Sequence, residues 1–188
     1  IFTVAQSIAD NKASVIYHCL QRMFKYGTSV LHNINDEYIF QFNKIYKKAA
    51  NEAHFYIEIL RFNENANGFL TARIEPDNNI IYMIIDHFND RLHCENFLIY
   101  DVRRNIAYIH MNNNTAFFYN DYNNELLKQL DDFSDNENDI QNLWIRFYNT
   151  IAIKERVNYK CQINMLPLKY RKYLPELPIK KGIPPNNN

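Results

Sequence analysis

The chain has 188 residues, 21 basic and 21 acidic side chains, 47 % hydrophobic and 15 % aromatic residues, and three glycines. A chain of this size can bury roughly 70 % of its unfolded surface in one core without disulfides or metal, and this composition excludes wholesale disorder. No apolar run approaches the ~20 residues that span a bilayer, and Cys19, Cys94 and Cys161 lie too far apart in sequence to suggest a disulfide framework.

Taken in chain order, Asp10 is placed to cap a helix with Ile16, Cys19, Leu20, Met23 and Phe24 on one face, closed by Gly27 at a left-handed C-terminal cap. A second helix follows Asn35 or Asp36, because Ile39, Phe42, Ile45, Ala49 and Ala53 recur at three- and four-residue steps. After Ala53 the pattern alternates, which predicts a strand from Phe55 to Phe62, turned at Asn67-Gly68 and paired with Phe69 to Ile74. Pro76-Asp77-Asn78 ends that hairpin, and Ile81, Ile84, Ile85, Phe88 and Leu92 give the next segment a helical period.

Three short β-like runs follow: Phe97 to Tyr100, Ile106 to His110 and Thr115 to Tyr119. They read as a meander that extends the hairpin's sheet. Asp121 to Asp139 holds seven carboxylates against Lys128 and reads as a solvated connector with a short helix at Glu125 to Leu130. Ser134 and Glu137 make a capping-box pattern, after which Ile140, Leu143, Trp144, Phe147 and Ile151 mark one side of a long helix. Pro167 opens a last short helix, Leu168 to Leu174, stopped by Pro175. The fold expected is α+β: a meandering antiparallel sheet of about five strands packed with helices, forming a single domain over 1–178, with 179–188 as a flexible tail.

Charge is balanced overall but unevenly placed. Lys154, Arg156, Lys160, Lys169, Arg171, Lys172, Lys180 and Lys181 face only Glu155 and Glu176 in the last stretch, interleaved with Tyr159, Tyr170 and Tyr173. Cations that hold phosphates beside rings that stack on bases suit nucleic acid; the competing reading is a solvated basic end paired with the acidic connector. A second group, Arg61, Arg91, Arg103 and Arg104, either converges on phosphate or pairs with Glu58, Glu64, Asp86 or Asp101.

Other chemistry is thinly supported. His87, His93 and Cys94 lack a fourth zinc ligand at any recognisable spacing, and Glu75-Pro76-Asp77 reads as a capped turn rather than a nuclease carboxylate set. Three glycines provide no phosphate-cradling loop, dinucleotide fingerprint or nucleophile elbow. His54 or His87 is the acid–base candidate, with Arg61 or Arg91 to stabilise an anion.

Several separated motifs occur together in order. They are Glu52-Ala53-His54, Leu60-Arg61-Phe62, Ile74-Glu75-Pro76-Asp77-Asn78-Asn79-Ile80, His87-Phe88-Asn89-Asp90-Arg91, the run Leu143 to Asn158, and Tyr170-Arg171-Lys172-Tyr173-Leu174-Pro175-Glu176. With them the chain resembles the bacterial family labelled probable DNA metabolism protein, a domain of unknown function that also occurs fused to uracil-DNA glycosylase. The likeness runs from Ala9 to Glu176, while the family's further N-terminal segment is absent from this sequence.

The resemblance implies work beside a radical S-adenosylmethionine protein that modifies or repairs DNA; any iron–sulfur centre would belong to that partner, since no three-cysteine cluster occurs here. The leading expectation is thus a cytoplasmic, DNA-associated accessory protein without a cofactor of its own and without membrane contact. It would bind DNA through Arg61, Arg91, Arg104, Arg156, Lys169, Arg171 and Lys172. The alternatives are a base-processing or hydrolytic enzyme, or a protein-interaction scaffold that touches no nucleic acid.

Overall fold

Asp36 starts the longest element. Its Oδ1 accepts the backbone N–H groups of Tyr38 at 3.0 Å and Ile39 at 3.2 Å, and Arg22 bonds its other oxygen, which holds the carboxyl below the usual carboxylate range. The helix that follows, α3 (Glu37–Ile59), buries Ile39, Phe42, Ile45, Ala49, Glu52, Ala53 and Tyr56 along one stripe. The computed structural model describes residues 1–113, 115–130 and 133–177, so the expected tail, 179–188, lies outside the described residues.

The strand expected from Phe55 to Phe62 is a correction. No glycine or proline interrupts the 23 residues of α3, and the buried stripe runs unbroken to Tyr56, so the helical period wins. Phe55, Ile57 and Ile59, which gave the alternation, lie half-buried on the flanks of the helix.

Two shorter helices, α1 (Phe2–Ala5) and α2 (Lys12–Tyr26), close over the first half of α3. Val4, Val15 and Cys19 meet Ile39, Phe42 and Ile45 there. Asn11, rather than Asp10, precedes α2, and it makes no side-chain cap bond. Gly27 ends α2 at φ 79°, its N–H donating to the Met23 carbonyl at 2.9 Å. Phe24, expected on the inner face, is 89 % exposed.

The sheet has five strands in sequence order: β1 (Asn63–Glu64), β2 (Leu70–Ile74), β3 (Phe97–Asp101), β4 (Ile106–His110) and β5 (Ala116–Asn120). The hairpin survives only as the two residues of β1, Asn63 facing Thr71 and Glu64 facing Leu70. Gly68 at φ 76° makes the expected turn.

A second correction concerns direction, because β2 and β3 run parallel, in register from Leu70–Phe97 to Ile74–Asp101. The helix α4 (Ile81–Arg91) between them carries the chain back to the end where β2 began, so the next strand must point the same way. The sheet is therefore mixed within an α+β fold. β3 is buried along its whole length. Phe97 and Ile99 pack with α3 and α4, while Leu98 and Tyr100 pack on the other face against Ala107 and Leu130. The short helix α5 (Glu125–Gln129) supplies Leu126 and Leu127 to that second face. Among the described residues no helix is long and apolar enough to cross a membrane.

The helix α6 (Asp135–Ile151) opens as its cap pattern predicts, Ser134 Oγ accepting the Glu137 N–H at 3.1 Å. The Glu137 carboxylate does not complete the box; its Oε2 accepts the Glu64 N–H at 3.0 Å, while the Ser134 N–H donates to the Glu64 carbonyl at 3.1 Å. The first turn of α6 thus covers the outer edge of β1. Facing the body are Glu137, Gln141, Ile145 and Tyr148, and the apolar side marked in the sequence turns outward. Beyond it come a 3-10 turn at Lys154–Arg156, the helix α7 (Tyr159–Met165) and, in place of a helix to Leu174, a single 3-10 turn at Leu168–Tyr170.

Candidate functional site

The parallel pair places the loops after β2 and β3 side by side. Glu52, buried on α3, shapes the first of these. Its Oε1 accepts the Asp77 N–H at 2.9 Å, and its Oε2 accepts the Asn78 N–H at 2.8 Å and Asn78 Nδ2 at 2.6 Å. Tyr56, whose phenol burial raises far above its ordinary pKa, has its hydroxyl accept the Glu75 N–H at 3.2 Å. In the second loop Asp101, fully buried, accepts the N–H groups of Arg103 at 3.0 Å and Arg104 at 3.3 Å. Burial raises the Asp101 carboxyl, and the Arg104 guanidinium works against that rise.

Three of the seven expected cations, Arg104, Lys169 and Lys172, are drawn into these loops, together with Arg103. Arg104 Nη1 donates to Asp101 Oδ2 at 2.8 Å and Nη2 to the Asp77 carbonyl at 2.6 Å, which ties the two loops together. Lys169 Nζ reaches Asp77 Oδ2 at 2.8 Å and Glu52 Oε1 at 3.3 Å, and Arg103 Nη1 reaches Asp77 Oδ1 at 2.8 Å. The Lys169 ammonium, with Arg103, holds the Asp77 carboxyl below its ordinary range. Lys172 pairs with Glu75, whose Oε2 also accepts the Tyr173 hydroxyl at 3.3 Å. Arg171 is buried, with Nε donating to the Leu166 carbonyl at 2.9 Å. Among the described residues, Lys169 and Lys172 of the basic C-terminal stretch thus pair with Glu52 on α3 and with Asp77 and Glu75 in the loop after β2.

Other candidates stand apart. Arg91 is exposed on the last turn of α4, and Arg156 is exposed in the turn after α6. His54, on α3, pairs with Glu58 at 3.1 Å and is 72 % exposed. His87 is exposed on α4, edge-on to Phe88.

What the fold does bring together is a cleft of about 410 Å³ between β1, β2, α6 and the segment Lys172–Pro175. Arg61, Arg73 and Lys172 border it, with Asn63, Gln141 and Tyr173 as further polar walls. A second cavity, about 220 Å³, shares Arg61, Asn63 and Gln141 with the first and extends under Trp144 to Glu176. Arg61 links the two. Its guanidinium lies 4.9 Å from the centre of the Trp144 ring, and Nη2 is 3.1 Å from Oε1 of Glu176, a side chain only 6 % exposed. Among the described residues Oε2 of Glu176 has no hydrogen-bond partner.

A planar guanidinium, an ammonium and amide groups can hold an anion and hydrogen-bond a polar ligand. Neither cavity is bordered by a histidine or cysteine, and Thr71 Oγ1 already donates to the Asn63 carbonyl at 3.1 Å. No group of three His, Cys, Asp or Glu side chains suited to a metal occurs among the described residues. Sequence reasoning does not single out Arg73 or Glu52. For Glu52 a signal exists: a carboxylate on the apolar stripe Ala49, Ala53, Tyr56 has to find partners inside.

Fold and cleft together define a small α+β domain whose recess beside β1, β2 and α6 carries cations and no imidazole. A family described as a domain of unknown function, DUF4130, matches residues 10–176, and the chain belongs to that family. No curated protein and no solved structure matches it.

Proposed function

We propose that this chain is an accessory protein of DNA repair or modification, which holds nucleic acid at the cleft beside an enzyme partner that performs the chemistry. The observation that carries the reading is the meeting of Arg61, Arg73 and Lys172, distant in sequence, around one recess with the Arg61–Trp144 stack at its end. Phosphate oxygens would compete with Glu75 for Lys172 and with Glu176 for Arg61. Bases have the exposed edge of Trp144 and the Tyr173 ring beside them. Arg91 and Arg156 add a wider, weaker footprint. His54 and His87 lie on different helices, and neither borders the cleft, which favours a binding module over an acid–base enzyme. The radical S-adenosylmethionine or glycosylase partner follows from the family resemblance.

The test is fluorescence anisotropy with labelled single- and double-stranded oligonucleotides over a range of salt concentrations. Binding should weaken steeply with salt. Exchanging both Arg61 and Lys172 for Ala should lower the slope of log affinity against log salt by about 2, one for each cation withdrawn from a phosphate. Lys47→Ala with Lys48→Ala, on the exposed side of α3, serves as the control. Absence of binding at low salt, or an unchanged slope in the Arg61/Lys172 variant, defeats the reading.

A further inference from the structure

The outward side of α6 is an exposed apolar face. Ile140 is 50 % exposed, Leu143 65 %, Phe147 51 % and Ile151 58 %, and Trp144 adds its free edge. These positions recur at three- and four-residue steps over about 16 Å of helix, the pattern of a face that packs against another helix. Single exposed apolar residues need no explanation, but five large ones on one stripe approach the few hundred Å² that monomers rarely leave open.

Charge indicates what covers it. On the flank of α6 turned away from the body, Asp139 and Arg146 are both exposed and lie seven positions apart, which puts them on one line along the helix. A helix laid antiparallel about a two-fold axis between Asn142 and Leu143 sets the same flank of each copy against the other. Asp139 of one copy then comes opposite Arg146 of the other, twice per pair. An anionic membrane surface does not suit the exposed Asp139 carboxylate beside the stripe.

We propose that this face of α6 closes on α6 of a second copy of the chain, antiparallel, to form a symmetric dimer. The interface shares Trp144 with the cleft reading, but the residues that test it, Asp139, Leu143, Arg146 and Phe147, border neither cavity.

Sedimentation velocity of the full chain over the micromolar range tests it. Wild type should run as a concentration-dependent dimer, and Leu143→Glu with Phe147→Glu should run as a folded monomer, its far-UV circular dichroism unchanged. Two charge variants separate association from folding. Asp139→Lys and Arg146→Glu should each weaken the dimer roughly tenfold, and the double variant should regain most of the loss, because the pair is then reversed on both sides. A monomeric wild type at the highest concentration overturns the proposal and leaves the stripe to a different protein. A double charge variant no stronger than the singles overturns the antiparallel arrangement. Loss of oligonucleotide binding in the Arg61/Lys172 variant with the dimer intact would separate the two readings.

Discussion

Glu52 Oε2 accepts two hydrogen bonds from one residue, Asn78: from its backbone N–H at 2.8 Å and from Nδ2 at 2.6 Å, with both side chains buried. The same carboxylate takes the Asp77 N–H on its other oxygen. One acidic group on a helix thus sets the path of the loop after β2, which in turn receives Arg104 and Lys169.

Glu52→Gln sets an amide NH₂ against donors that need an acceptor, so buried N–H groups lose their partners. The variant should be about 2–4 kcal/mol less stable, read from urea unfolding. Glu58→Gln, nearly two turns further along on the exposed side, should stay within about 0.5 kcal/mol of wild type. Equal midpoints for Glu52→Gln and wild type would refute the role given to this carboxylate.

Asp77 should shape the acid limb of stability. Its folded pKa lies below that of the unfolded chain, chiefly through the Lys169 hydrogen bond, so its contribution is complete above about pH 4 and disappears as pH falls through the folded value. Asp77→Asn should therefore be less stable than wild type at neutral pH, and the gap should narrow with acidification. A deficit that stays constant down to strongly acidic pH would show that the carboxylate charge is not what matters.

The turn at Gly68 offers a clean measure of backbone strain, because φ is 76° and a Cβ there would meet no atom within 4 Å. Gly68→Ala should cost about 1 kcal/mol from conformation alone, and Gly68→Asn less. Thermal midpoints in the order glycine, asparagine, alanine are expected; the reverse order would contradict the left-handed turn.

Trp144 is the chain's one tryptophan and reports on Arg61 directly. Arg61→Ala removes the stacked guanidinium and strips the ion pair from a nearly buried Glu176. Its emission should shift to the red, and Arg61→Lys should not restore the wild-type spectrum, since an ammonium lacks the flat stacking surface. Identical spectra for wild type and Arg61→Ala would remove the stack.

His54→Ala and His87→Ala should each change stability by no more than about 0.5 kcal/mol and leave oligonucleotide affinity unaltered, because both rings are exposed. A strong loss of affinity in either would bring the acid–base reading back.

Much of the architecture can be read from periodicity, and the misreadings have physical causes. The α2, α4 and α6 segments, the Gly68 turn and the strands β2 to β5 follow from stripe spacing, alternation and turn chemistry. The end of α3 does not, because Phe55 to Phe62 satisfies a two-residue period locally while its first half also extends a longer helical stripe; length and the absence of a breaker decide. The parallel direction of β3 is implied by the helix before it, but alternation within a strand is the same for either direction, so a meander fits the pattern equally well.

The site is harder to read than the fold. Lys169 and Lys172 stand out in the sequence as part of a basic run, but a run does not reveal that Glu52, Asp77 and Glu75, roughly a hundred residues earlier, come to meet it. Nor does it show that Arg61 and Arg73 flank the same recess.

The hold of α6 on Glu64 has a consequence for association. Its first turn occupies both backbone groups of that residue, so the short rim of the sheet is sealed by the very helix whose outer stripe is open. Any encounter that pries α6 from the body would bare an unpaired strand edge at the same moment. A partner that grips the helix without lifting it leaves that seam shut, and the two modes of attachment would differ in whether the protein stays dispersed or begins to stick to itself.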